Sequence, residues 1–209
     1  MTYFKTVLHG PSAHPQSIKR IVGAGVSPAL IIRTGWKACA TAQELFGEEE
    51  SSLVITRAAP ADAQEILDLQ KLAYQSEAAI YQDYTIPPLT QTLPEIELEL
   101  QTQVFLKAVA AGRIVGSVRG YLQDGTGFIA RLIVHPAYQN QGLGQELMGA
   151  IEGCFPQAGR FALFTGHLSE RNLYLYQKLG YQRVGAEPVS EKLTMIFLEK
   201  RVPINCGQS

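Results

Sequence analysis

The stretch Gln139-Asn140-Gln141-Gly142-Leu143-Gly144 is the part of this chain best suited to hold an anion. It follows the apolar run Ile129 to Val134 and opens a helical pattern that continues through Phe155. The first backbone N–H groups of a helix have no partners within it, and the helix dipole places partial positive charge there. Gly142 and Gly144 leave no side chain between that backbone and a ligand. Two familiar phosphate loops do not fit. A dinucleotide fingerprint would need glycine at 147, where the chain has Leu147, and a P-loop would need Gly-Lys followed by Ser or Thr. Ile21-Val22-Gly23-Ala24-Gly25 fails the first pattern as well, because Pro28 stands at the third glycine position. The loop suits a pyrophosphate, and the rest of its site has to come from elsewhere in the chain.

The composition sets bounds on that site. With 209 residues, 46% hydrophobic and 18% charged, the chain reads as a soluble protein with one core of ordinary size. A net charge of −1 offers no footprint for nucleic acid, and no apolar run approaches the roughly 20 residues of a membrane span. Cys39, Cys154 and Cys206 form no metal or disulfide spacing, which points to a reducing compartment, the cytoplasm. Cys154 continues the stripe Leu143, Leu147, Ile151 and is expected in the core. Charge is uneven, since residues 1–43 carry five basic residues and no acidic one. Residues 1–52 therefore read as an extension: an organellar transit segment, a poorly ordered leader or translation begun too early. The folded domain is expected over 53–200, with 201–209 as a tail.

The elements that must position the loop follow from periodicity. Leu53 to Arg57 is a strand candidate, and Pro60 suits the first turn of a helix bearing Ile66, Leu69, Leu72 and Ala73. Tyr84 to Leu89 reads as a loop because its two prolines lack ladder donors, and Pro94 to Gln101 reads as a helix. Strands are expected at Val104–Ala110 and Ile114–Tyr121, then, past a turn at Asp124-Gly125-Thr126-Gly127, at Phe128–Val134. After the loop's helix come strand Arg160–Thr165, a helix Glu170–Leu179 capped by Ser169, and strands Tyr181–Gly185 and Leu193–Glu199. Gly180 sits where a left-handed residue ends a helix. The order β-α-α-β-β-β-α-β-α-β-β is that of an α/β (α+β) layer fold.

Two separated motifs sharpen the reading. Leu132-x-Val134-x-Pro136 with Gln139-x-x-Gly142-x-Gly144, and further on Leu175-Tyr176-Gln177-Lys178-Leu179-Gly180-Tyr181, resemble the cofactor motifs of the GNAT superfamily of N-acetyltransferases. The resemblance covers about residues 53–200. It implies a mixed, mostly antiparallel central sheet flanked by helices, with acetyl-CoA as co-substrate and no metal. Backbone groups of Leu132, Ile133 and Val134 would pair with the pantetheine amides. The N–H groups from Asn140 through Gln141, Gly142, Leu143 and Gly144 to Gln145 would hold the pyrophosphate, with Gln139 opening the motif. Tyr176 matches the family tyrosine that protonates the departing CoA thiolate.

The match has one departure. The family often has asparagine seven residues before this tyrosine, where this chain has Ser169; Asn172, four before it on the same helix face, is the alternative contact. His167 lies in the loop after Arg160–Thr165 and is the candidate base, since its ordinary pKa near 6.5 suits proton removal. His135, next to Pro136, reads as structural. Tyr81, Tyr84 and Pro87 fall in the region that lines the acceptor in this family. The expected reaction is direct attack of an amine, either a small molecule or a protein amino group, on acetyl-CoA. The rival reading is a catalytically weak acyl-CoA-binding or sensing module. The expected assembly is a monomer or homodimer without nucleic-acid or membrane partners.

Overall fold

The structure, a computed structural model, describes residues 53–202. The leader 1–52 and nearly all of the tail 201–209, with Cys39 and Cys206, lie outside the described residues.

Seven strands form one sheet: β1 (Val54–Arg57), β2 (Val104–Ala110), β3 (Arg113–Gln123), β4 (Thr126–Val134), β5 (Arg160–Gly166), β6 (Gln182–Pro188) and β7 (Thr194–Arg201). Their order is β1-β2-β3-β4-β5-β7-β6, antiparallel except for β4 against β5. The β2–β3 and β3–β4 turns are short because Ala111-Gly112 and Asp124-Gly125 all have positive φ, between 49° and 73°. That geometry matches the twist of the flanking strands. Thr126 and Gly127, expected in the second turn, already belong to β4, and Thr126 pairs with Gln123.

Helices cover both faces. Between β1 and β2 lie α1 (Ala63–Ala73), α2 (Gln75–Tyr81), α3 (Pro87–Thr90) and α4 (Leu93–Thr102), twice the number the periodicity predicts. The expected loop over Tyr84–Leu89 is corrected in its second half. Pro87 and Pro88 occupy the first helical positions of α3, where a missing N–H costs nothing, and Ile86 stays extended as residues before proline prefer. Helix α4 starts where Thr92 and Glu95 form a capping box. On the other face are α5 (Leu143–Gly153) and α6 (Glu170–Lys178). Leu147, Met148 and Ile151 of α5 are fully buried against the sheet with Val118, while Ile66 and Ile96 pack with Phe105 and Ile133 on the opposite face. The stripe does not include Cys154. That residue lies one past the helix end and is exposed, and Phe155 takes the buried position.

A buried polar knot fastens α3 to the sheet. Gln70 of α1 donates to the Pro88 carbonyl and to Gln91 Oε1, each at 2.9 Å, and Arg119 of β3 pairs with Glu99 of α4. Burial pushes the Arg119 guanidinium down to about 10, with the charge of Arg131 adding and that of Glu99 opposing. It stays cationic at neutral pH.

Candidate active site

The site begins where two strands part. Strand β4 pairs with β5 only at Thr126, Gly127 and Phe128, so the stretch from Ile129 to Val134 runs free of β5 while β5 continues to Gly166 on β7. Arg131 sits in the left-handed region at φ 51°, and the β3–β4 register slips opposite it. This bulge bends β4 away from its neighbour. The resulting cleft, of about 740 Å³, is walled by Leu132, Ile133 and Val134 on one side and by α6 on the other.

The anion loop closes one side of the cleft. Gln139, Asn140, Gly142, Gly144 and Gln145 line it, whereas the Gln141 side chain turns back to the Ala137 carbonyl and Leu143 is buried in the core. Gly142 has φ +90° and a Cβ there would meet nothing, so the constraint is on the backbone and not on space. The N–H of Gln145 is already bonded to the Gly142 carbonyl at 2.8 Å, which leaves the donors before it as the anion-binding set. One of the strand carbonyls is also taken, because Gln139 Nε2 donates to Val134 O at 3.0 Å. His135 accepts from the Ala137 N–H, which gives it the structural part expected of it.

Sequence reasoning missed the cations. Arg171 of α6 donates to Gln139 Oε1 at 2.6 Å and to Asn140 Oδ1 at 3.0 Å, and Lys178 also lines the cleft. An arginine in the first turn of a helix opposes the dipole. That local conflict was the available signal, and the parallel β4–α5 and β5–α6 units explain it by placing α6 beside the loop.

The remaining wall comes from α1 and α2: Tyr74, Glu77 and Ile80 line the cleft opposite Asn172 and Leu175. Ser169 is not the expected cap. Its side chain makes no bond to the helix start and instead donates to Glu77 Oε2 at 2.5 Å. Asn172 Nδ2 donates to Glu77 Oε1 at 3.2 Å and to Thr165 Oγ1 at 3.4 Å, so only its carbonyl remains for a ligand.

The other expected residues are placed as follows. Tyr81 is buried and absent from the wall; its hydroxyl accepts the Leu168 N–H at 2.7 Å and lies 3.5 Å from Ser169 Oγ, so it anchors α2. Tyr84 is 60% exposed and Pro87 opens α3, and neither reaches the wall. His167 stands outside it too, with Nδ1 accepting the Thr194 N–H at 3.1 Å. That bond engages the acceptor nitrogen of the neutral ring, so the geometry gives the expected base role of His167 no support. Tyr176 is 7% exposed and packs in the core, its ring 6.0 Å from that of Tyr181. Burial pushes its phenol above the ordinary value, and Tyr74 and Glu77, both cleft residues, add to the rise.

A family model described as the acetyltransferase (GNAT) family matches residues 64–181, more than half of the chain. This chain belongs to the GNAT family of acetyltransferases. Solved structures agree on the fold of the GNAT domain. PaiA N-acetyltransferase from Thermoplasma acidophilum, in complex with coenzyme A, superposes with a TM-score of 0.63 at 17% identity over 72% of this chain and 99% of its own. A GNAT-family acetyltransferase from Streptococcus pneumoniae gives 0.57 at 22% identity over 72% and 99%. The Salmonella typhimurium protein yncA, with its cofactor acetyl-CoA, gives 0.58 at 21% over 76% and 99%. No curated protein matches the chain. As a GNAT enzyme it has the expected mixed, mostly antiparallel sheet, and the loop and α6 motif stand on the elements predicted for them.

Proposed function

We propose that this GNAT acetyltransferase moves the acetyl group of acetyl-CoA to a primary amine by direct attack, with Tyr176 as the acid for the CoA thiolate. The parting of β4 from β5 is the observation that carries this reading, because it opens unpaired backbone beside a loop of free N–H groups. Ile133 is paired with Ser117 of β3, so the backbone offered to an amide-bearing arm is that of Leu132 and the N–H of Val134, and the loop donors with Arg171 suit a pyrophosphate. Bound acetyl-CoA supplies the thioester that an amine attacks. Tyr176 is not itself a wall residue: it lies on α6 between wall residues Asn172 and Lys178 in sequence, and its buried phenol keeps its proton until a strong base, such as a desolvated thiolate, takes it.

Two measurements check the donor half. Acetyl-CoA at about 100 times its Kd should stabilise the protein by about 2.7 kcal/mol in thermal unfolding; no shift would overturn the reading. Arg171→Ala should weaken acetyl-CoA by at least about tenfold in calorimetric titration, since a hydrogen bond to a charged group is worth about 1.5–3 kcal/mol. Affinity unchanged by that substitution would remove Arg171 from the anion site. The acceptor half is read by thiol release across a panel of amines and peptides with free amino groups.

A further inference from the structure

We propose that Glu77 seats the ammonium group of the acceptor and receives a proton from it during transfer, an inference that rests on the acetyl-transfer reading above. Glu77 is half-buried on the cleft wall, and both donors to its carboxylate, Ser169 Oγ and Asn172 Nδ2, are neutral. Among the described residues the ion pairs involve Asp62, Glu99, Glu152 and Glu199, not Glu77. Arg171 of α6 points its guanidinium to Gln139 and Asn140 of the anion loop and not to Glu77. Glu77 is thus a carboxylate held in a fixed pose by two neutral groups, with a lone pair left on each oxygen and no cation within ion-pair distance. A carboxylate so held, with free lone pairs on a cleft wall, offers a cationic ligand a preset hydrogen-bonding partner.

The neighbours describe the rest of that ligand. Tyr74, Ile80, Leu168 and Tyr174 give this part of the cleft an aromatic and aliphatic lining, so an amine on an apolar body fits better than a polyamine or a basic peptide. The titratable groups that share the cleft with Glu77 are Tyr74 beside α1, Tyr138, and Glu170, Arg171, Tyr174 and Lys178 of α6; Tyr81 and Tyr176 are buried beside it, and Arg131 of β4 stands over the Tyr74 ring. Proton accounting then closes within the site. The bound ammonium loses a first proton through Glu77 to water. As the amine nitrogen bonds to the acetyl carbon and the carbon–sulfur bond breaks, Glu77 takes the second nitrogen proton and Tyr176 gives its own to the sulfur. The proton on Glu77 then restores Tyr176, so amide, CoA thiol and one released proton are the products.

The test compares Glu77→Gln and Glu77→Asp with the native enzyme. Native protein with acetyl-CoA bound should be stabilised by 2-phenylethylamine, a cation at pH 7, more than by its neutral counterpart 2-phenylethanol, and E77Q should lose that preference while E77D keeps part of it. In turnover, E77Q should lose roughly a hundredfold or more in kcat/KM for a protonated amine from the panel and measurably less for neutral aniline, which needs no ammonium seat and no first deprotonation but still gives Glu77 the proton lost as the amide forms, with acetyl-CoA affinity within about twofold of native. Equal losses for charged and neutral acceptors would overturn the proposal and make Glu77 a positioning residue for α6. So would a native protein that does not prefer the amine over the alcohol. Native protein that fails to bind acetyl-CoA would instead strike the acetyl-transfer reading itself.

Discussion

Replacing Tyr176 by Phe is expected to lower kcat by roughly 10²–10⁴-fold, the range of a lost proton donor, with acetyl-CoA affinity little changed. The ring is buried in the core next to Tyr181, and phenylalanine keeps its volume and its packing. Only the hydroxyl is removed, so an effect on packing would appear in thermal unfolding and an effect on chemistry in kcat. The phenol is held above its ordinary pKa by burial first and by Tyr74 and Glu77 second. It therefore remains protonated through neutral and mildly alkaline pH, and the activity of the native enzyme should show no alkaline loss from this group there. Rate-limiting product release would mask the chemical step, so single-turnover acetyl transfer is the measurement. A single-turnover rate equal to the native one would take Tyr176 out of the reaction.

Gly166→Ala should cost both stability and turnover. A Cβ at this position would lie well inside contact distance of the Tyr81 hydroxyl and 2.7 Å from the ring carbon that bears it. Strand β5 is paired with β7 through Gly166, so the tyrosine has to yield. Overpacking of this kind costs about 1–3 kcal/mol. Moving Tyr81 also withdraws its hydroxyl from the Leu168 N–H and from Ser169, and Ser169 is one of the two donors that hold Glu77. The expected result is a lowered Tm together with a fall in kcat/KM for the amine larger than any change in acetyl-CoA affinity. The double variant Gly166→Ala, Tyr81→Phe should recover part of the stability, because the hydroxyl is the atom in closest conflict. Native Tm in G166A would show that Tyr81 is not the anchor described above.

Most of the scaffold was legible because strand and helix periods are local. The order of β2 through β7 with α5 and α6 between them follows from alternation, turn residues and the glycine at 180, which has φ +89°. The helices α2 and α3 were not legible. The first continues α1 past a kink at Tyr74 without a proline or glycine to mark it, and the second begins on prolines that serve equally in a loop. The donor half of the site was readable for the same reason as the strands, since the loop and the helix start are contiguous in sequence. The acceptor half depends on which residues of α1 and α2 meet α6, a pairing set by tertiary packing across more than 90 residues between Glu77 and Ser169. Tyr81, Tyr84 and Pro87 come from the expected region, but helix rotation puts Tyr74, Glu77 and Ile80 on the wall in their place. Ser169 looked like a cap because a serine before a helix usually is one. Here the half-buried carboxylate of Glu77 competes for its hydroxyl and wins.

Amine-dependent release of CoA thiol from acetyl-CoA tests the central claim most directly. The native protein, given acetyl-CoA and a panel of primary amines, should release thiol and form acetylated amine in equal amounts, fastest with amines carrying an apolar body. Firm acetyl-CoA binding with no acetyl transfer to any amine or peptide amino group would contradict the enzyme reading and leave a CoA-binding module on the GNAT scaffold.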